Sequence, residues 1–274
     1  MGEFMNKQAI LLTEVKLGIG TLTFNRPERK NSLSPELLMM IHNKLQEWNK
    51  SDDVRVVVIT GGTGKAFSSG YDIGSIPTEM PTDMSPETIK LIRAHNPLEL
   101  AMKSVEEFPC PTIAMMNGYA FGAGLNMAMC CDIRIAQSDI SVGMPPAKLG
   151  LVYHPDGLRQ FIDVVGMAKT REIFFTAKTY KGAEVLQMNL VDSLVQPEEL
   201  QKVTYELAEE IAANAPLTVK GTKRILGMFK ERMTLTEKQT AEADAIIHEA
   251  FNSDDIKEGM IAFFEKRKPN FKGK

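Results

Sequence analysis

The sequence predicts an α/β fold in which a mostly parallel sheet is wrapped by helices. Short β-branched or apolar runs at 54–60 and 111–116 each lead into a glycine-containing turn, and helical patterns follow. Parallel strands need such crossover connections, which are usually helices. Beyond about residue 168 almost every strand pattern disappears, apart from one at 190–195. We therefore expect a strand-rich core followed by a helical C-terminal region.

Each element rests on a local pattern. Ser34 before Pro35 is typical of an N-cap and a first helical turn, and apolar residues then recur at helical spacing to about residue 50. Residues 74–86 form a long aperiodic stretch, which predicts a lid or binding loop. The predicted strands are 9–15, 20–24, 54–60, 111–116, 132–136, 140–142 and 190–195, and the predicted helices are 35–50, 87–107, 126–131, 198–214, one from Pro216 onward, 236–251 and 255–266.

The last predicted helix has one apolar face. Ile256, Met260, Phe263 and Phe264 lie on one side of it if the segment is helical. The sequence also divides into a core at 5–195 and a helical region at 196–274, with residues 1–4 resembling a cloning remnant before Met5.

Composition excludes several classes of protein. A chain of 274 residues that is 43 % hydrophobic can bury one large core. A net charge of −3 gives no reason to expect nucleic-acid binding. No apolar run reaches the ~18 residues that predict a membrane span. Cys110, Cys130 and Cys131 have no metal-ligand spacing, so we expect no metal and a reducing, cytoplasmic location.

A basic cluster near the C-terminus has two interpretations. It is either a solvated tail or part of a surface that holds an anionic ligand. Its members are Lys266, Arg267, Lys268, Lys272 and Lys274.

Two glycine turns are the most informative motifs. Residues 67–73 read FSSGYDI and follow the strand at 54–60, and residues 117–125 read NGYAFGAGL and follow the strand at 111–116. Glycine lets the backbone approach a ligand closely. If each turn supplies one backbone N–H, the pair forms an oxyanion hole, which is usually a large contribution to catalysis.

Two further motifs are CCDIRIA at 130–136 and EGMIAFFEKRKPNF at 258–271. With the two turns, they resemble the enoyl-CoA hydratase/isomerase (crotonase) superfamily, with some similarity to its methylmalonyl-CoA decarboxylases. The match runs from about Ile10 to the C-terminus. The resemblance implies a ββα spiral, a helical C-terminal region with trimer contacts, and a homotrimer or homohexamer. It also implies an acyl-CoA substrate with no separate cofactor, since coenzyme A belongs to the substrate.

Position by position, the resemblance assigns the enolate-stabilising amides to Tyr71 and Ala123. The Tyr71 ring should also shape the acyl pocket. Arginine and other polar donors suit the phosphates of coenzyme A. The residues assigned to substrate and coenzyme A binding are Arg26, Lys30, Ser69, Gly70, Asp72, Ile73, Gly122 and Pro146.

Both glutamates of a typical hydratase are replaced. Asn126 stands at the first position and Pro146 at the second. Neither side chain can take a proton at neutral pH, so ordinary two-glutamate hydration is not expected. Asn126 can still orient a water or a carbonyl group by hydrogen bonding.

The loop at 149–157 carries the reaction-selecting residue in other family members, and here it holds Tyr153 and His154. A tyrosine matching Tyr153 occurs in the decarboxylases, whose reaction needs no strong base. The alternatives are an isomerase, a hydratase whose acid or base is His154, Asp156 or a residue of 79–83, and a non-catalytic acyl-CoA-binding protein. On a purely structural interpretation, His154 is a turn residue, Asp156 is a helix N-cap, and Asp72 and Asp132 bond to the backbone.

Overall fold

The computed structural model describes residues 9–75, 95–230 and 234–273. Within these ranges the chain forms two sheets, one with the strand order β1-β2-β3-β5-β7-β10 and one with the order β4-β6-β8-β9. The strands are β1 (Leu11–Lys16), β2 (Ile19–Phe24), β3 (Val56–Thr60), β4 (Ala66–Ser68), β5 (Thr112–Met116), β6 (Tyr119–Phe121), β7 (Ile133–Gln137), β8 (Ser141–Gly143), β9 (Thr179–Lys181) and β10 (Ser193–Val195).

Pairing is parallel except at two places. The β1–β2 hairpin and the β8–β9 pair are antiparallel. Consecutive strands alternate between the sheets, since β3, β5 and β7 lie in the first and β4, β6 and β8 in the second. The chain therefore winds as a spiral of strand pairs, which confirms the predicted α/β class with a mostly parallel sheet.

Helices surround this spiral. The predicted start of the first is confirmed, because the Ser34 hydroxyl accepts a hydrogen bond from the Leu37 amide at 3.2 Å. The fourth is interrupted at Gly166, where φ is 77°. The helices are α1 (Pro35–Trp48), α2 (Pro97–Glu106), α3 (Ala123–Met129), α4 (Pro155–Thr176), α5 (Ala183–Gln187), α6 (Leu200–Ala213), α7 (Pro216–Lys230), α8 (Glu237–Phe251) and α9 (Asp254–Phe264).

Two apolar clusters hold the layers together. The larger fills the space between the sheets and the helices α1 to α4. The smaller lies on the other face of the six-stranded sheet, where Leu200, Ala208 and Ala212 of α6 cover Val56 and Val58 together with further sheet residues. Removing these apolar side chains from water stabilises the contact between α6 and the sheet. The division of the chain at residue 195 stays a prediction.

Three strands were not predicted. Strands β4 and β6 lie largely within segments predicted as turns, and β9 lies where no strand was expected. The central Tyr180 of β9 is buried between exposed Thr179 and Lys181, and three residues are too few to show a period.

In α9 the buried face consists of Ile256, Gly259 and Ala262, whereas Phe263 and Phe264 are 54 % and 67 % exposed. Small residues face inward because α9 lies directly on the backbone of the loop before Tyr153. A Cβ on Gly259 would come within 2.6 Å of the Leu149 carbonyl.

The predicted loop at 74–86 and the first part of the helix at 87–107 lie almost entirely outside the described residues; α2 is the described end of that helix. Among the described helices, none has both the length and the apolar character needed to cross a membrane.

Candidate active site

The two glycine turns touch each other. A Cβ on Gly70, whose φ is 107°, would lie 2.8 Å from the Phe121 carbonyl oxygen and 3.7 Å from the Ala123 nitrogen. A Cβ on Gly124 would lie 2.6 Å from that of Ser68. Only glycine fits at either position without moving the neighbouring turn, so the close approach of the turns depends on these two residues.

Two amides at this contact have no acceptor among the described residues. Leu33 donates to the Gly70 carbonyl at 2.8 Å and accepts from the Asp72 amide at 3.0 Å, so the Tyr71 N–H lies on the opposite edge of this extended segment. Ala123 is the first residue of α3, where an N–H has no partner within the helix. Within the described part of the chain, neither amide donates to an acceptor.

Arg26 and Asp72 fix one side of this contact. The Arg26 guanidinium lies 3.0 Å from the Asp72 carboxylate and donates to the Ser32 carbonyl at 2.6 Å. The Lys30 carbonyl accepts from the Ser69 amide at 3.0 Å, and the Lys30 side chain is exposed. Arg26 and Asp72 therefore hold the loop against the first turn, while Lys30 is open to solvent.

Tyr71 lies between the turns and the core. Its ring is half-buried and packs against the larger apolar cluster. Burial, together with the neighbouring Asp72 charge, raises the pKa of Tyr71. Its hydroxyl is therefore neutral at physiological pH.

Asn126 lies in the first turns of α3 and is fully buried. Its Oδ1 accepts a hydrogen bond from the Tyr153 hydroxyl at 2.7 Å. Its Nδ2 donates to Oε1 of Gln160 at 2.7 Å. Gln160 in turn donates from Nε2 to Glu106 at 3.0 Å. We call these four residues the polar chain.

Glu106 ends the polar chain as a carboxylate. Arg159 donates to both of its oxygens, at 2.9 and 2.8 Å, and the Lys230 ammonium lies 3.7 Å away. Burial alone would raise the pKa of Glu106, but the hydrogen bonds from Arg159 and Gln160 and the nearby positive charges lower it below its ordinary value. Glu106 is therefore ionised at neutral pH and accepts hydrogen bonds only.

Tyr153 forms the other end of the polar chain. Its ring lies 4.6 Å from the His154 ring and 5.5 Å from that of Phe174, centroid to centroid. Burial, and to a lesser extent the nearby Cys130, raises the pKa of Tyr153 well above its usual range. The side chain is thus a neutral hydroxyl whose proton is directed at Asn126.

His154 caps α4. Its Nδ1 accepts a hydrogen bond from the Gly157 amide at 3.2 Å, so the proton of the neutral ring resides on Nε2. The expectation that Asp156 is the N-cap is wrong: its carboxylate is 70 % exposed and lies 4.0 Å from Nε of Arg159. Pro155 as the first helical residue explains the shift, since proline is favoured there.

Pro146 lies close to the second turn. It is buried and begins the short 3-10 helix Pro146–Leu149. The Gly122 amide donates to the Gly143 carbonyl at 2.9 Å, which holds this segment beside Gly122. Ile73 belongs to the 3-10 turn Ile73–Ser75 that follows Tyr71.

Asp132 has the structural role predicted for it. Its carboxylate accepts from the Thr112 amide at 2.7 Å and from the Thr112 hydroxyl at 3.0 Å. Asp72 is structural too, although it bonds to side chains rather than to the backbone. No group of three or more His, Cys, Asp or Glu among the described residues could hold a metal ion.

Sequence reasoning missed Glu106, Arg159 and Gln160. Glu106 ends α2 and the other two lie in α4, and each looks like an ordinary polar residue of a helical pattern. Only the packing of the two helices brings them together, so no local motif could have indicated them.

The ββα spiral and its two contacting glycine turns define a protein of the crotonase fold. A sequence model of the family described as enoyl-CoA hydratase/isomerase matches residues 14–274. The chain belongs to the enoyl-CoA hydratase/isomerase family, whose members act on acyl-CoA thioesters.

Relatives of more than one activity resemble this chain. It is 33 % identical to the short-chain-enoyl-CoA hydratase of Clostridium acetobutylicum, covering 91 % of this chain and 92 % of that protein. It is 28 % identical to the methylmalonyl-CoA decarboxylase of Escherichia coli, covering 93 % and 95 %. A solved methylmalonyl-CoA decarboxylase in complex with 2-nitronate-propionyl-CoA superposes with a TM-score of 0.87 at 26 % identity, covering 97 % and 99 %.

Proposed function

We propose that this enzyme holds the thioester oxygen of an acyl-CoA between the N–H groups of Tyr71 and Ala123. Two observations support the proposal: neither amide has an acceptor among the described residues, and the turns that carry them are in contact. Paired N–H groups stabilise the negative charge that develops on this oxygen when an enolate forms.

The residues around these amides would hold the rest of the ligand. Ser69, Gly70 and Ile73 would border the ligand beside Tyr71, and the exposed Lys30 suits a phosphate of coenzyme A. Gly122 and Pro146 border the second amide. Arg26 and Asp72 act on the substrate indirectly in this proposal, because they fix the loop that carries Lys30.

The reaction we propose is decarboxylation of a 2-carboxyacyl-CoA. The observation that carries it is the pairing of the nearby carboxylates: Asp72 with Arg26, and Glu106 with Arg159. Neither is placed to act as a general base, and Asn126 and Pro146 stand where the family pattern has glutamates. Decarboxylation needs no base, because breakage of the bond between the α-carbon and the carboxylate itself delivers the electron pair of the enolate.

In this reaction the carboxylate leaves as CO2 and the electron pair passes to the thioester oxygen. The enolate then takes one proton from water at the α-carbon, which gives the saturated acyl-CoA. Tyr153 and His154 would line the space beside the α-carbon, with Asn126 behind Tyr153.

The test is turnover of a panel of thioesters. We expect the purified protein to release CO2 from methylmalonyl-CoA and to form propionyl-CoA, measured by mass spectrometry, while crotonyl-CoA is hydrated slowly. Loss of one general acid or base typically costs ~10²–10⁴-fold. If methylmalonyl-CoA and malonyl-CoA are both returned unchanged, the decarboxylase proposal fails.

Hydration is the second candidate, favoured by the identity of 33 % to the short-chain-enoyl-CoA hydratase of Clostridium acetobutylicum. It would need a displaced acid or base, such as His154, Asp156 or a residue of 79–83, a segment outside the described residues. A kcat for crotonyl-CoA above ~10² per second, typical of efficient enzymes, would favour this candidate. Tight binding of thioesters without turnover would instead indicate a non-catalytic binding protein.

We also propose that the chain assembles as a trimer or a dimer of trimers. The C-terminal helices expose large apolar side chains, among them Leu217, Ile225 and Phe229 of α7 and Phe264 of α9. Such exposed apolar surface is typical of an interface. Sedimentation of a monomer of about 30 kDa at micromolar concentration would contradict this proposal.

A further inference from the structure

The polar chain from Glu106 to Tyr153 has only one consistent direction of hydrogen bonding. Because the Glu106 carboxylate can only accept, Gln160 must direct its Nε2 toward it, at 3.0 Å. The Gln160 Oε1 is then left facing Asn126, which must donate from Nδ2, at 2.7 Å. The charge at one end thus decides the orientation of both amides.

The same logic fixes the hydroxyl at the other end. With Nδ2 used on Gln160, Asn126 presents Oδ1 to Tyr153, whose hydroxyl must donate, at 2.7 Å. A hydroxyl has one hydrogen, so Tyr153 can only accept from any further group. Turning either amide would place two acceptors face to face, and both amides are buried, at 0 % and 3 % exposure, where an unmade hydrogen bond is costly.

We infer that Glu106, Gln160 and Asn126 are positioning residues that prevent the Tyr153 hydroxyl from donating a hydrogen bond to the substrate. This inference rests on the proposed function. In a 2-carboxyacyl-CoA the carboxylate beside Tyr153 would receive no hydrogen bond from that hydroxyl, while the amides of Tyr71 and Ala123 stabilise the enolate oxygen. Charge leaves the carboxylate as the carbon–carbon bond breaks, so withholding a donor from the ground state favours the transition state.

Two variants remove the constraint that fixes the direction of hydrogen bonding along the polar chain. In Glu106→Gln the new amide can also donate, so both amides can turn and the Tyr153 proton becomes available to the substrate. Gln160→Met interrupts the chain while leaving the contacts between Glu106 and Arg159 in place, so it serves if Glu106→Gln does not fold. Each should lower the KM and the kcat for methylmalonyl-CoA together, each by about tenfold, the size of one hydrogen bond to a charged group.

Propionyl-CoA lacks the carboxylate, so its dissociation constant should stay within about twofold of the wild-type value in both variants, as measured by calorimetry. A changed hydrogen bond to a charged group would instead shift the dissociation constant about tenfold. Asp163→Asn is the matched control. It makes the same acid-to-amide change on another partner of Arg159, at 2.9 Å, without touching the polar chain, and should leave both constants as in the wild type.

Tyr153→Phe gives a third measurement. If Tyr153 donates nothing to the carboxylate, the variant should not raise the KM for methylmalonyl-CoA, whereas loss of a donated bond would raise it about tenfold. A raised KM in Tyr153→Phe, or kcat falling in Glu106→Gln and Gln160→Met without a fall in KM, overturns the inference. If the wild type releases no CO2, the proposed function has failed. If the wild type releases CO2 but KM and kcat do not fall together in Glu106→Gln and Gln160→Met, only the positioning role has failed.

Discussion

Two helices begin at the candidate site, and their N-termini differ. Helix α3 starts after Gly122, which has no side chain to cap it, and the Ala123 N–H has no acceptor in the described part of the chain. Helix α4 starts after His154, whose ring accepts the Gly157 N–H. Both termini carry orphan donors; at α3 the Ala123 N–H has no acceptor among the described residues, whereas at α4 the His154 side chain accepts the Gly157 N–H.

The two helices are also anchored differently. Gly124 lets α3 press against Ser68 at a distance that no side chain would allow. Helix α4 is anchored by polar contacts, through Arg159 and Gln160 to Glu106. We therefore expect α3 to be sensitive to added atoms and α4 to the loss of charge or of hydrogen-bond acceptors.

The largest effect should come from Ala123→Pro. Proline is favoured at the first position of a helix and has no N–H, so the proposed oxyanion hole loses one donor. We expect kcat/KM to fall about 10²–10³-fold in a steady-state assay with the substrate identified by the thioester panel. Glu237→Pro makes the same change at the first residue of the exposed helix α8 and should leave activity intact. Wild-type turnover by a folded Ala123→Pro enzyme would remove this amide from the mechanism.

The contrast between α3 and α4 explains what could be predicted from sequence. The site of α3 follows from local glycines in FSSGYDI and NGYAFGAG, because close backbone approach needs glycine. The cap at His154 was missed and assigned to Asp156, since histidine is not among the usual capping residues.

Contacts between residues that are far apart in the sequence were harder to predict. The strands of the six-stranded sheet could be predicted from short apolar runs, but β4 and β6 lie largely within segments predicted as turns. The polar chain joins residues 27 to 54 positions apart. The inward face of α9 could not be predicted from hydrophobicity either, because the neighbouring backbone requires Gly259 there while Phe263 and Phe264 are exposed.

The second prediction concerns acid sensitivity on the α4 side. The pKa of folded Glu106 lies below its ordinary value of 4.5, so its charge stabilises the fold above that value, and this stabilisation is lost as pH falls through the lowered pKa. Glu106→Gln should cost about 1.5–3 kcal/mol of unfolding free energy at pH 7. The difference from the wild type should shrink below pH 4.5, as measured by denaturant unfolding across pH. The neighbouring Asp163 is present in both proteins, so its own titration is common to both. A difference in unfolding free energy that does not change with pH would contradict this role for Glu106.

The third prediction tests the close packing of α3. Gly124→Ala places a methyl group against Ser68 and should cost about 1–3 kcal/mol, with loss of activity as the turns separate. Gly221→Ala in α7 is the control, since a Cβ there meets no atom within 4 Å, and it should stabilise by about 0.5–1 kcal/mol. Equal melting temperatures for the two variants would show that the turns can move apart freely.

The smallest effect should come from His154, and it separates capping from chemistry. His154→Ala removes the acceptor for the Gly157 amide and should cost about 1 kcal/mol of stability. His154→Ser restores a capping oxygen at the same position without the imidazole ring, so its melting temperature should return close to that of the wild type. If His154 also meets the substrate, both variants lose turnover alike, by about tenfold, or 1.4 kcal/mol of barrier. If it only caps α4, the serine variant keeps wild-type kcat, and of the two site residues in this loop Tyr153 alone would then contact the acyl group.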